Sequence, residues 1–109
     1  MIDSAELSKV LRLVGLGVRS RGAIVGVNQV REAVKQNKLV LAVVASDAAS
    51  NSREKVVPLL NARRVSFIEV PSALELGAAV GREQTAVVGI VDRQLAAGIH
   101  DAVTREEGV

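Results

Sequence analysis

The segment Leu39-Val40-Leu41-Ala42-Val43-Val44-Ala45 is the longest apolar run of the sequence. It shows no alternation of polar and apolar residues, and it contains no glycine or proline. A strand that is covered on both faces has this composition, whereas a half-exposed strand alternates. The run is also far shorter than the roughly 20 residues of a membrane-spanning helix. We therefore predict a central strand in a sheet that is packed between helices.

Helices and strands alternate on both sides of this run. Near the N-terminus, apolar residues recur at helical spacing: Leu7, Val10, Leu11 and Val14. We expect Asp3 or Ser4 to cap this first helix, and Gly15 and Gly17 to end it. The other predicted elements are strands at residues 23–25, 66–70 and 86–91 and helices at about 27–37, 52–62, 72–81 and 92–103. The order α-β-α-β-α-β-α-β-α predicts a three-layer α/β/α sandwich with a mixed four-stranded sheet.

Length and composition restrict the class of protein. The 109 residues are expected to form one domain, residues 1–109, with an acidic C-terminal tail that frays. The sequence has no cysteine and a single histidine, which argues against disulfides and against cysteine- or histidine-based metal sites. The acidic N-terminus lacks a signal-peptide core, so we expect a cytoplasmic location without membrane contact. Because Phe67 is the only aromatic residue, RNA binding by base stacking on exposed rings is excluded.

The charges are distributed unevenly along the chain. Residues 1–64 carry eleven Lys and Arg against five Asp and Glu, whereas residues 65–109 carry three against seven. The net charge of +2 therefore combines a basic first part with an acidic second part. A basic helix face is often no more than a solvated surface, but an asymmetry of this size favours a polyanionic partner for the first part.

Candidate catalytic residues do not assemble into a reactive set. Ser46 and Ser50 follow the central strand, where an α/β hydrolase places its nucleophile, but the glycines of that turn are missing. Asp47 lies where a phospho-acceptor would lie, without the accompanying acidic pair and lysine. The alternative is that Asp47, Ser50 and Asn51 satisfy free N–H groups at the start of the next helix. His100 is interpreted as a solvated residue at a helix end. We predict no enzymatic activity, no cofactor, no metal and no small-molecule substrate.

A more promising candidate site begins at Gly26. A predicted strand ends at this glycine and a helix follows, so free N–H groups and the positive end of the helix dipole would form an anion site. Asn28 and Gln29 offer donors and acceptors that suit base edges. The alternative is that Asn28 serves only as a helix cap. Basic residues nearby in the sequence are predicted to contact phosphates: Arg21, Arg31 and Lys35.

Three segments of the chain resemble the kink-turn RNA-binding family of ribosomal protein L7Ae and its relatives, especially the short bacterial YlxQ-like members. They are Gly26-Val27-Asn28-Gln29-Val30-Arg31-Glu32-Ala33-Val34, then 39–45 with Ser46-Asp47-Ala48-Ala49, and Pro71-Ser72-Ala73-Leu74-Glu75-Leu76-Gly77-Ala78-Ala79-Val80-Gly81. The resemblance covers about residues 7–99 and implies an α/β/α sandwich, in agreement with the alternation of elements.

The resemblance also implies where RNA would bind. In the family, a glycine, an Asn-Glu pair and a following lysine at the start of the second helix read tandem G·A pairs in a bent RNA duplex. Here Gly26, Val27 and Asn28 stand at the helix start, while Gln29 replaces the Glu and Glu32 replaces the Lys. The family's loop that closes on a flipped-out nucleotide corresponds to Arg82-Glu83-Gln84-Thr85.

These observations predict a non-catalytic RNA-binding protein associated with the ribosome. The expected partners are ribosomal or other structured RNA and, in addition, ribosomal or RNA-processing proteins. The alternative is a protein-interaction module on the same fold, with an eroded RNA site and contacts through apolar or acidic surfaces. Gln29 and Glu32 favour this alternative, because both depart from the family's RNA-binding pattern.

Overall fold

The computed structural model describes residues 2–104, without the side chain of Thr104. It confirms the predicted order of elements. These are α1 Ser4–Arg19, β1 Ala23–Val25, α2 Val27–Lys35, β2 Leu41–Ala45, α3 Ser50–Ala62, β3 Ser66–Val70, α4 Ala73–Ala79, β4 Val87–Ile90 and α5 Arg93–Thr104.

The four strands form one mixed sheet in the order β1-β4-β2-β3. The last strand, β4, lies between β1 and β2 and is antiparallel to both, with Val88 opposite Val25 on one side and opposite Val43 on the other. Strands β2 and β3 are parallel, and Val43 pairs with Ile68. Because β1 and β2 are both antiparallel to β4, they run in the same direction although they do not touch.

Helices cover both faces of the sheet and confirm the three-layer sandwich. All five residues of β2 are buried, as its unbroken apolar sequence predicts. On one face, Leu41 and Val43 pack in a cluster with residues of α1, α4 and α5. On the other face, Ala42 and Val44 pack with residues of α2 and α3. The alternation of neighbouring β2 residues between the two clusters is the two-residue period of a strand.

The prediction that Gly15 and Gly17 end the first helix is wrong. Helix α1 continues through both residues to Arg19, and both glycines are buried inside it. A Cβ at Gly15 would lie 2.7 Å from the carbonyl oxygen of Ala79, and a Cβ at Gly17 would lie 2.3 Å from Leu95 Cδ2. These glycines let α4 and α5 approach α1 closely, a tertiary requirement that outweighs their low helix propensity.

Short polar side chains cap the starts of α1 and α5. Asp3 accepts a hydrogen bond from the backbone N–H of Glu6, and the Glu6 carboxylate accepts one from the Asp3 N–H, which forms a complete capping box. Asp92 Oδ1 accepts from the N–H of Leu95 at the start of α5. No helix within residues 2–104 combines the length and the apolar character that crossing a membrane would require.

Candidate nucleic-acid interface

One edge of the sheet gathers the segments that the sequence marks as a candidate site. Strands β1, β2 and β3 end at this edge and β4 begins there, as the pairing of Val25 with Val88 and of Val44 with Val87 shows. The start of α2, the start of α3 and the loop that precedes β4 therefore lie close together. Polar side chains from three separate parts of the sequence meet at this edge.

Gly26 forms the turn from β1 into α2 with φ +100° and ψ 157°, a conformation that is open to glycine and strained for other residues. Its N–H donates to the carbonyl of Val87 at 3.0 Å, which ties the turn to β4, and its carbonyl accepts from the N–H of Val30. A Cβ at Gly26 would meet nothing within 4 Å, so the space above the turn is open. A ligand can thus approach the backbone directly.

No side chain caps the start of α2. The alternative that Asn28 merely caps this helix is therefore wrong, because the N-cap is Gly26 and the Asn28 side chain is exposed. The first N–H groups of a helix, here those of Val27, Asn28 and Gln29, have no partner four residues back. They point along the helix axis with the positive end of the dipole, which favours a phosphate or another anion.

Gly26, Val27, Asn28 and Gln29 line an open depression of about 410 Å³. Its opposite wall is formed by Ser52 and Lys55 of α3 and by Arg82 of the loop before β4. The side chains of Asn28 and Gln29 are exposed, and no hydrogen bond engages either of them among the described residues. The depression combines free amides, free side-chain amides and two cations, which is a set of groups that can bind base edges and phosphates.

Arg31 has a structural contact at this site. Arg31 is half-buried as a residue, and its guanidinium donates an exposed hydrogen bond to the backbone carbonyl of Lys55, which joins α2 to α3. A guanidinium carries five N–H donors, so this contact leaves others available to a phosphate. Arg31 therefore contributes to the position of Lys55 as well as to the charge of the interface.

The loop Arg82-Glu83-Gln84-Thr85 lies against α4 and borders the depression. Arg82, Glu83 and Gln84 are exposed, whereas Thr85 is buried. The Thr85 N–H donates to the carbonyl of Ala73, and its hydroxyl donates to the carbonyl of Val87 at 3.3 Å. Thr85 consequently anchors the loop, and the other three residues are accessible to a ligand.

A second, smaller depression of about 290 Å³ adjoins the first and shares Ser52 with it. Asp47 and Gln84 are among its lining residues. Asp47 Oδ1 accepts a hydrogen bond of 2.7 Å from the N–H of Ala73, so this carboxylate satisfies the start of α4. The expectation that Asp47 satisfies the start of the next helix, α3, is wrong, because the parallel pairing of β2 and β3 places α4 beside the end of β2.

Arg21 and Lys35 do not join this group. Arg21 precedes β1, so the length of that strand, roughly 10 Å, separates it from Gly26. Lys35 is the last residue of α2, roughly 12 Å along the helix axis from Val27. Both residues lie toward the opposite edge of the sheet.

The sequence profile of the Ribosomal protein L7Ae/L30e/S12e/Gadd45 family matches residues 8–100. The chain belongs to this family. It is 31% identical over 84 residues to the RNA-binding protein YlxQ of Bacillus subtilis (strain 168), a match that covers 77% of this chain and 84% of that protein.

Solved structures share the family fold. A Bacillus halodurans C protein of unknown function is 31% identical and superposes with a TM-score of 0.73 over 84% of this chain and 97% of its own. A 15.5 kD RNA binding protein of Giardia lamblia superposes with a TM-score of 0.79 over 99% of this chain and 92% of its own. Its sequence is 20% identical, so this second likeness concerns the fold alone.

Both departures from the expected family pattern lie on the exposed surface of α2. Gln29 faces solvent beside Asn28 and presents two donors and one acceptor. The Glu32 carboxylate lies one helical turn beyond Asn28 and accepts a hydrogen bond from Gln36 Nε2 at 3.1 Å. The negative charge of Glu32 is therefore on the same side of α2 as Asn28, where it opposes the attraction of a phosphate.

Ser52 and Lys55 line the depression at the candidate interface, and the sequence did not indicate them. They occupy one side of the first turns of α3, and they reach the Gly26 turn only because β1 and β2 run in the same direction. The three-residue spacing of a hydroxyl and a cation after the central strand was the available signal. Among the described residues, no cluster of three or more His, Cys, Asp or Glu side chains is arranged to hold a metal ion.

Proposed function

We propose that this chain is a non-catalytic, ribosome-associated RNA-binding protein of the cytoplasm that recognises structured, kink-turn-like RNA. The observation that carries the proposal is the depression in which the uncapped start of α2 faces Lys55 and Arg82. Membership of a ribosomal protein family and 31% identity to a protein named for RNA binding support the class of ligand.

In this proposal each group has a separate task. The open backbone at Gly26 admits the sugar-phosphate chain, and the N–H groups of Val27 and Asn28 bind a phosphate. The side chains of Asn28 and Gln29 bind base edges, which gives specificity. Lys55 and Arg82 neutralise phosphates on the other side of the depression. The exposed residues of the loop 82–84 contact a nucleotide that is displaced from the duplex.

The substitution of Gln29 for an acidic residue changes the kind of base edge that is preferred. A carboxylate accepts hydrogen bonds only, whereas the amide of Gln29 also donates. We infer that Gln29 binds an edge that presents an acceptor beside a donor, and that the tandem G·A step contributes less affinity than a carboxylate would provide. One hydrogen-bonded base contact is worth about 1–3 kcal/mol.

A titration with two RNAs tests this function. The first RNA contains a kink-turn, and in the second the tandem G·A pairs are replaced by Watson–Crick pairs, with both measured at two salt concentrations. We expect tighter binding to the intact kink-turn and weaker binding of both RNAs at high salt. Equal, salt-sensitive affinities would restrict the function to general RNA binding. Absence of binding to either RNA would contradict the proposal.

The substitution Asn28→Ala locates the site. It removes one base contact and leaves the backbone of α2 unchanged, so we expect the affinity for the kink-turn RNA to fall by about 1–3 kcal/mol, more than for the altered RNA. Asn61→Ala is the matched control, because Asn61 is also exposed on a helix but lies near the end of α3. If Asn28→Ala and Asn61→Ala leave both affinities unchanged, the assignment to the start of α2 is incorrect.

A protein-interaction module remains the second candidate, and exposed apolar side chains favour it. Leu74 on α4 is 64% exposed and Leu16 on α1 is 46% exposed, so both are accessible to an apolar partner surface. If neither RNA binds, these residues identify the surface to test next, with Leu74→Asp as the substitution that would abolish an apolar contact.

A further inference from the structure

Helices α1, α2 and α3 end with the same backbone hydrogen-bond pattern. In each, an N–H just beyond the helix donates back to a carbonyl five residues earlier: Gly22 to Gly17 at 2.7 Å, Lys38 to Ala33 at 2.9 Å and Val65 to Leu60 at 2.9 Å. The residue inside each turn has a left-handed backbone, with φ +66° at Arg21, +60° at Asn37 and +59° at Arg64. This is the Schellman motif, in which glycine is the usual residue at the left-handed position.

Glycine occupies the left-handed position at the end of α4 but not at the ends of α1, α2 and α3. The N–H of Arg82 donates to the Gly77 carbonyl at 2.8 Å, and the left-handed residue of that turn is Gly81, with φ +78°. Asparagine tolerates this conformation, so Asn37 is a common substitute. The short side chain of asparagine can hydrogen-bond to nearby backbone, whereas the long side chain of arginine lacks this local stabilisation. Arginine in the left-handed conformation therefore bears the full steric penalty of its Cβ. Its presence twice, at Arg21 and Arg64, therefore needs an explanation from the side chain.

Both arginines lie at the same edge of the sheet, opposite the candidate interface, because each is two residues before the start of a strand, β1 or β3. The ends of α1, α2 and α3 bring six basic residues to this edge, all of them exposed. We call this group the basic edge: Arg19, Arg21, Lys35, Lys38, Arg63 and Arg64. Among the described residues none of the six forms an ion pair, and Arg63 alone has a side-chain hydrogen bond, to the Val34 carbonyl at 3.4 Å.

Helix dipoles account for part of this arrangement. Cations in the last turn of a helix are stabilised by its free carbonyl groups, which suits Arg19 and Lys35. Stabilisation by the helix dipole does not require an arginine at the left-handed position beyond the helix end, so it does not explain Arg21 and Arg64. Three acidic side chains border this edge: Asp92 beside Gly22, Glu32 one helical turn before Lys35, and Glu75 in a depression that Arg19 also lines. Asp92 Oδ1 already accepts from the N–H of Leu95, and Glu32 accepts from Gln36. Among the described residues none of the three forms an ion pair with the six cations. The basic edge is therefore a row of cations with no internal anionic partner among the described residues.

The spacing of this row suits a nucleic-acid backbone. The strand order β1-β4-β2-β3 places Arg21 and Arg64 three strand spacings apart, roughly 14 Å, with Lys38 between them in front of β2. An RNA or DNA duplex presents about one negative charge per 1.7 Å of its axis, so several phosphates face a row of this length. The exposed and unpaired cations can each contact a different phosphate.

We propose that the basic edge is a second RNA-binding surface, which holds the phosphate backbone of an RNA segment other than the one at the Gly26 turn. The class of partner rests on the proposed function, but the surface and its residues are distinct from that site. With sites at opposite edges of one small sheet, the protein joins two RNA segments. Binding at the basic edge is independent of sequence, because the surface offers charges and no side chain arranged to read base edges.

The test uses the double variant Lys38→Gln/Arg64→Asn and a straight RNA duplex that contains no kink-turn. Asparagine is chosen at position 64 because Asn37 already adopts the same backbone in the same motif. Removing two phosphate contacts reduces the slope of log affinity against log salt by about 1.8. We expect the duplex to bind about tenfold or more weakly at 0.1 M salt, while the melting temperature of the protein does not fall.

The matched control is Lys9→Gln/Arg12→Gln, which removes the same net charge from the exposed side of α1. An equal effect of both double variants would attribute the result to net charge and overturn the proposal. An unchanged affinity and salt slope in Lys38→Gln/Arg64→Asn would also overturn it. A polyglutamate peptide that bound the basic edge as tightly as the RNA duplex would overturn it as well. The kink-turn preference, measured as the affinity ratio of the two RNAs above, reports separately on the Gly26 site.

Discussion

The backbone of Gly26, with φ +100° and ψ 157°, is the local feature on which the candidate interface depends. A Cβ there would touch no atom within 4 Å, so the restriction to glycine comes from the conformation and not from crowding. The same absence of a side chain exposes the first amides of α2. Stability and ligand access therefore require glycine at this position for two separate physical reasons.

We predict that Gly26→Ala lowers the free energy of unfolding by about 2–3 kcal/mol, since this region of φ and ψ is almost closed to other residues. Urea denaturation followed by circular dichroism measures the loss. Gly81→Ala is the control, because Gly81 also has a positive φ and open space around it but lies in the less restricted left-handed turn. It should cost about 1 kcal/mol. Equal losses would show that the Gly26 conformation carries no special strain.

The loop between α4 and β4 is held in place by close packing of backbone on backbone. A Cβ at Gly77 would lie 2.4 Å from the Cα of Gln84, and backbone atoms cannot rotate away as a flexible side chain can. The loop carries Arg82, one of the two cations that face the Gly26 turn. Helix α4 thus determines how far Arg82 lies from the start of α2.

Gly77→Ala should displace this loop and weaken RNA binding by several fold. The expected destabilisation is about 1–3 kcal/mol, typical of an overpacked core, although alanine is the better helix former. Gly98→Ala in α5 is a matched helical control, because its Cβ would meet only Leu13 Cδ1 at an ordinary 3.8 Å. That substitution should stabilise the protein by about 0.5–1 kcal/mol and leave RNA affinity unchanged. Affinity and stability are measured on the same preparations, and unchanged affinity in Gly77→Ala would exclude loop position as a determinant.

At the level of the molecule, one sheet divides the apolar core into two clusters that depend on each other. Leu60 of α3 belongs to the cluster on one face and Leu76 of α4 to the cluster on the other, and both are fully buried. Every residue of β2 contributes to one cluster or the other. Neither helical layer can lose its packing without exposing the strand that supports the opposite layer.

We therefore predict cooperative unfolding of the two layers. Leu60→Ala and Leu76→Ala should each lower stability by about 2–5 kcal/mol, with a single urea transition in both variants. Circular dichroism and methyl NMR signals from each layer are suitable probes. Leu74→Ala provides the control on α4, since its exposed side chain should change stability by about 0.5 kcal/mol or less. Separate transitions for the two layers would contradict a shared core.

The positive charge is distributed differently on the folded protein than along the sequence. The basic first part of the sequence does not surround the Gly26 turn, because much of its charge lies at the ends of α1, α2 and α3. At the turn itself, Lys55 and Arg82 supply the cations, and Arg82 comes from the acidic second part. Linear charge counts predicted a polyanionic partner but did not indicate which edge of the sheet would carry most of the positive charge.

Local signals in the sequence determined the order of the elements, the sandwich class, the buried central strand and the exposed helix start at Gly26. Periodicity, capping residues and glycine act over a few residues, so a single sequence contains them in full. Only the tertiary structure decided that β4 inserts between β1 and β2, that Gly15 and Gly17 lie inside α1, and that Ser52, Lys55 and Arg82 meet the Gly26 turn. Strand pairing and helix contacts join residues far apart in the chain, and their energies depend on neighbours that no local pattern specifies.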